Sequence, residues 1–209
     1  MREQQQSLEE LQHIKQMMER SSRFISLSGW SGIAAGICAL IASFIAKRQI
    51  DNWITSNYQT RVEDFSSLET SLLTLAIITL IAAFILAFIF TYYRSKKKGV
   101  SIWGTASRRL LVAVAIPLAA GGFYLLKEVE LENYAMLAPG CLIFYGLALV
   151  NASKYTLGEV KYLGYSQILL GIINCWMIGY GLYFWAIGFG IFHIIYGVIM
   201  WSRYERNVE

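Results

Sequence analysis

Between Tyr162 and Ser202 the chain carries no Asp, Glu, Lys or Arg. That stretch of about 40 residues is roughly twice the ~20 that take one helix across the hydrocarbon core of a bilayer, so it must reverse once. The aromatic and glycine residues Phe184, Trp185 and Gly188 place the reversal at Tyr183–Gly188, as an interfacial hairpin. Four further stretches are equally free of charge and bounded by it: about 24–46, 70–93, 110–126 and 135–152. With 162–183 and 186–202 they predict six spans in a transmembrane domain over 24–202, preceded by a segment 1–23 and followed by a tail 203–209.

Composition agrees. The 209 residues are 56% hydrophobic and 15% charged, against about 45–50% and 25% in soluble domains. A soluble core has no room to bury six such runs on every side. The fold class expected is therefore an all-α membrane bundle of three helical hairpins, and a nucleic-acid-binding domain or disulfide-stapled secreted protein is excluded. Cys38, Cys141 and Cys175 all lie within spans, with neither disulfide nor metal-ligand spacing.

Lys and Arg set the orientation, because they are retained on the cytoplasmic side. With both termini inside, fourteen of the eighteen basic residues are cytoplasmic; only Lys47, Arg48, Arg61 and Lys127 are external. The external loop 47–69 reads as one or two interfacial helical turns. Span one has no cleavage site behind it and reads as an uncleaved signal anchor. The cytoplasmic loop 94–109 carries Lys96, Lys97 and Lys98. These could attract anionic lipid headgroups or serve only as topogenic charge.

The segment 1–23 is predicted to form an amphipathic helix. Ser7 and Glu10 have the spacing of a capping box, and Leu8, Leu11, Ile14 and Met18 recur on one face. Its charges balance, which weakens a membrane-surface role and leaves two readings: a self-association or partner helix, or a juxtamembrane extension packing on the bundle. Tyr145-Gly146 in span four and Tyr196-Gly197 in span six suggest a hairpin repeat.

Three groups of intramembrane residues stand out. Ser28, Gly32 and Gly36 in span one, Gly171 and Gly179 in span five, and Gly197 in span six are small residues that let helix backbones approach closely. Gln167 and Asn174 are seven apart, near one face of span five, and His193 in span six can face them, with Tyr145 (and Tyr124) completing a polar lining. Such residues mark a functional site by default; the alternative is interhelical hydrogen bonding. Pro117 should kink span three and release the carbonyl of Ala113, as a hinge or a plain kink.

The chemistry is narrowed by what is missing. Bis-histidine haem needs a second intramembrane His, and proton coupling usually needs a buried carboxylate. No nucleotide-binding, zinc-protease or serine-hydrolase motif occurs. Neither cofactor nor catalytic residue is expected, and the chain reads as a non-enzyme.

Met17-Met18-Glu19-Arg20-Ser21-Ser22-Arg23-Phe24-Ile25-Ser26-Leu27-Ser28-Gly29, and Gly190-Ile191-Phe192-His193 through Tyr196-Gly197, resemble an uncharacterised family of bacterial six-span inner-membrane proteins. The resemblance implies the bacterial inner membrane and no activity. Two functions follow as expectations: a sensor or accessory subunit acting through a protein partner or a second copy by way of 1–23, or a small-solute or ion carrier with its site at Gln167, Asn174, His193 and Tyr145.

Overall fold

The computed structural model describes residues 28–60, 65–97 and 103–206. The amphipathic helix expected over 1–23, and Lys98, lie outside them. Six helices and no strand occur among the described residues: α1 (Gly29–Thr60), α2 (Phe65–Lys97), α3 (Thr105–Glu130), α4 (Leu137–Ala152, after a single 3₁₀ turn at Tyr134–Met136), α5 (Val160–Trp176) and α6 (Gly181–Tyr204). Within α6 the segment Ala186–Phe192 is wound as a π-helix. All but α5 are long and apolar enough to cross a bilayer. The 17 residues of α5 span about 25 Å at 1.5 Å per residue, the short end of the crossing range.

Helices α1 and α2 run well past their apolar tracts. The loop expected over 47–69 is helical from 47 to 60 and again from 65. The reversal between α5 and α6 comes at 177–180, not at Tyr183–Gly188. Gly179 has φ +89°, in the left-handed region that glycine enters without a Cβ clash. Asn174 Nδ2 donates to the Met177 carbonyl at 3.3 Å and steadies the end of α5. The aromatic run 183–185 stays helical, and Gly188 is buried inside α6.

The helices alternate in direction. One end of the bundle gathers the start of α1, the end of α2, the start of α3, the end of α4, the start of α5 and the end of α6, tied by Arg94–Glu205, Asn151–Ala113 and Tyr204–Glu159 contacts. Among the described residues most of the basic ones, including Lys96, Lys97, Arg108, Arg109, Lys154 and Arg203, flank this end.

Helix α6 lies between α1 on one side and the α4–α5 pair on the other; α2 packs on α1, and α3 on α4. Close approach at the two tightest crossings depends on glycine. On α1, a β carbon at Gly29 would lie 2.5 Å from the Gly197 carbonyl oxygen of α6, and one at Gly36 2.7 Å from that of Gly190. Between α4 and α5 the relation is reciprocal: a β carbon at Gly146 would lie 2.7 Å from the Gly164 carbonyl oxygen, and one at Gly164 2.8 Å from that of Gly146. Gly32 joins the first seam, and Gly171 packs on Pro139, Leu142 and Ile143. Gly179, expected on the small-residue face of span five, lies beyond the end of α5 and packs on nothing. Ser28 joins the seam only at its margin, since it precedes α1 and its hydroxyl bonds Glu205.

Between residues 75 and 90 the exposed side chains of α2 are all apolar, with Leu80 and Phe84 each 71% exposed. An uninterrupted apolar coat of this extent is compatible with a lipid solvent and not with water.

Candidate functional site

Residues 167, 171 and 174 are spaced to share one face of α5, and that face is turned inward. Gln167 is 0% exposed and Asn174 2%. Opposite them on α6 are Gly188 and Gly181: a β carbon at Gly188 would lie 2.5 Å from Gln167 Oε1. The antiparallel register thus sets each buried amide against a glycine.

The centre of the arrangement is a backbone carbonyl. Gly188 O accepts Gln167 Nε2 at 2.8 Å and lies 3.0 Å from His193 Nδ1. A carbonyl only accepts, so Nδ1 carries the proton; in the neutral ring Nε2 is then the acceptor. Tyr145 of α4 donates its hydroxyl to that nitrogen at 2.7 Å. The imidazole is 6% exposed and stacks on Phe189, with centroids 5.9 Å apart and planes 15° apart. Tyr145 and Trp185 pack on the same ring, each with centroids 5.1 Å away. Both nitrogens are satisfied in the neutral state, which is the state a site without a counter-charge favours.

Of the expected residues, Gln167, His193 and Tyr145 converge. Asn174 belongs to the α5–α6 turn, and Tyr124 packs on Phe144 at the α3–α4 contact, with centroids 5.5 Å apart. Two buried acceptors, Gln167 Oε1 and Asn174 Oδ1, have no hydrogen-bond partner, and neither has the buried Tyr196 hydroxyl. Gly188 was not legible as a site residue, because nothing in an apolar run announces a π turn whose carbonyl is taken by side chains.

A second polar cluster closes the end of the bundle that carries the basic residues. Glu205 Oε1 accepts the Gly29 backbone N–H at 2.6 Å, the Ser28 hydroxyl at 3.3 Å and Arg94 at 2.5 Å. The carboxylate therefore caps α1, where the helix dipole is positive, and pairs with a guanidinium that is 8% exposed. Nearby, Glu159 accepts the Tyr204 hydroxyl at 2.7 Å and Arg203 at 3.5 Å. Burial pushes its pKa up, but the Tyr204 hydrogen bond, its own backbone N–H and Arg203 outweigh that and hold it below the ordinary value. Both clusters are built of hydrogen bonds, and the second also of ion pairs.

Pro117 leaves α3 continuous. The carbonyl it releases, on Ala113, accepts Asn151 Nδ2 of α4 at 2.8 Å, so the position is pinned by its neighbour helix.

Comparison of the chain with protein-family models, with curated proteins and with solved structures finds no match.

Proposed function

We propose that the chain is an integral protein of the bacterial inner membrane, crossing it six times as three hairpins with both termini in the cytoplasm, and that it acts without chemistry of its own, as a sensor or accessory subunit working through a partner. The closed polar centre carries this reading. Gln167 is fully buried, and its donor is occupied by the Gly188 carbonyl. A resting carrier needs a route to its site, and none reaches this residue. The charged end, by contrast, binds Ser28 and Gly29 at the start of α1 to Glu205 after α6 in one cluster. Lys96, Lys97 and Lys98 suit anionic lipid headgroups.

The test is purification in native lipid, comparing the full chain with one lacking residues 1–23. A protein or second copy bound in fixed proportion, and lost with the deletion, is the expected result. A monomer unchanged by the deletion contradicts it.

A second reading, a small-solute or ion carrier, draws on the unpartnered oxygens of Gln167 and Asn174. Uptake into proteoliposomes that His193→Ala abolishes, with assembly intact, would favour it over the first.

A further inference from the structure

Helix α6 is held by its neighbours on both sides of its π segment. Before it, Gly181 faces Ala138 of α4, and at its third residue Gly188 faces Leu142 and Gln167 of α4 and α5. Gly190, its fifth residue, faces Leu40, and beyond the segment Gly197 faces Gly29 and Ile33, all on α1, while His193 bonds Tyr145 of α4 and Met200 packs with Val160 of α5. The segment Ala186–Phe192 is the joint between the two sides.

A π turn bonds i to i+5 and contains more residues per turn than an α turn. In α winding the Gly188 carbonyl would accept the N–H of Phe192, four residues on. In the π form the backbone donor in register is the N–H of His193, five residues on, and the same carbonyl also accepts the side-chain donors of Gln167 and His193. Gln167 makes that bond at a cost, because its Oε1 stays fully buried without a partner. Gly188 and Gly190 carry no β carbon, so the backbone of the joint can rewind without a side chain of its own in the way.

We propose that α6 is a jointed helix: residues 186–192 interconvert between π and α winding, and Gln167 and His193 are the catch that holds the π form through the Gly188 carbonyl. One residue of winding turns the half-helix 181–185 by about 100° relative to 193–204. The turn changes the face that the outer half presents to α4 and α5, and parts the seam containing the unpaired oxygens of Gln167 and Asn174. The device serves a partner-driven protein and a carrier alike, so its fate is separate from the choice between them.

The experiment measures the distance between spin labels at Tyr183 and Val198, which are 54% and 47% exposed, in bilayers, with Cys38, Cys141 and Cys175 replaced by Ser. The parent protein should show one dominant distance. Gln167→Leu combined with His193→Phe removes both donors and should raise a second population, relative to the first, by roughly tenfold or more, the effect of losing one or two net hydrogen bonds. His193→Asn, which keeps an N–H donor toward Gly188, should retain the parent distribution. Gln167→Leu alone preserves the side-chain volume and serves if the double variant does not fold. A single distance, the same in the parent and in the Gln167→Leu variants, overturns the proposal.

Discussion

Asn151 on α4 donates its side-chain amide to the Ala113 carbonyl of α3 at 2.8 Å. That carbonyl lies four residues before Pro117, which has no N–H to give it. Away from water an unpaired carbonyl costs several kcal/mol, so one side chain restores what the proline removes and fixes how α4 lies against α3.

Asn151→Leu should therefore destabilise the protein by about 1–3 kcal/mol. In a Pro117→Ala background the carbonyl regains a backbone donor, and the same substitution should cost less than half as much. Unfolding of the four proteins in one detergent checks this; equal costs in the two backgrounds would contradict the pairing.

The reciprocal contact of Gly146 with Gly164 predicts a sharp positional contrast. Gly146→Ala places a methyl 2.7 Å from a backbone oxygen that cannot turn away, and should cost about 1–3 kcal/mol as α4 and α5 are forced apart. Gly122→Ala, one helix away, meets nothing within 4 Å, and should be neutral or stabilise by about 0.5–1 kcal/mol through helix propensity. Thermal unfolding of the two variants is the measurement.

Glu205→Ala removes both the cap of α1 and the partner of a nearly buried guanidinium. The expected loss is about 1–3 kcal/mol, from the cap and the ion pair lost together. Glu205→Leu combined with Arg94→Leu should recover much of it. A double variant as unstable as the single one would show that the pair's charge is not what matters.

Because the folded pKa of Glu159 is depressed, its contribution is full above the unfolded value of about 4.5 and lost as pH falls through the folded one. Tyr204→Phe removes a hydrogen bond to the ionised carboxylate at 2.7 Å. It should lower stability at neutral pH by about 0.5–1 kcal/mol, given the partial exposure of the site, and lessen the further loss below about pH 4.5. Melting curves from neutral to acid pH for the two proteins show whether their difference narrows.

What was legible in the sequence was local. Charge-free tracts announce helices by length and composition alone, and Pro117 announces an orphaned carbonyl from its chemistry. The identity of the donor was not legible, because Asn151 and Ala113 are 38 residues apart and only packing joins them. Arg94 and Glu205, 111 apart, read as topogenic and tail charges for the same reason. His193 and Tyr145 stood out as polar residues in apolar runs. Gly188 did not, because a π turn leaves no periodicity in the sequence, and its neighbours Phe184 and Trp185 point to a hairpin that Gly179 makes instead. Gly164 was missed as a packing residue, since its partner lies on the preceding helix rather than at a four-residue interval on its own.

The most direct measurement is the sidedness of Gly158 and Gly179, which flank α5, whose 17 residues are at the short end of the crossing range. Single cysteines at each, in the background free of native cysteine, are labelled in right-side-out cells with a reagent that cannot cross the membrane. Six crossings with the basic ends inside predict labelling at 179 and protection at 158 until the cells are opened. Labelling of both, or of neither, would mean that α5 does not cross, and with it the map of the chain in the membrane would fail.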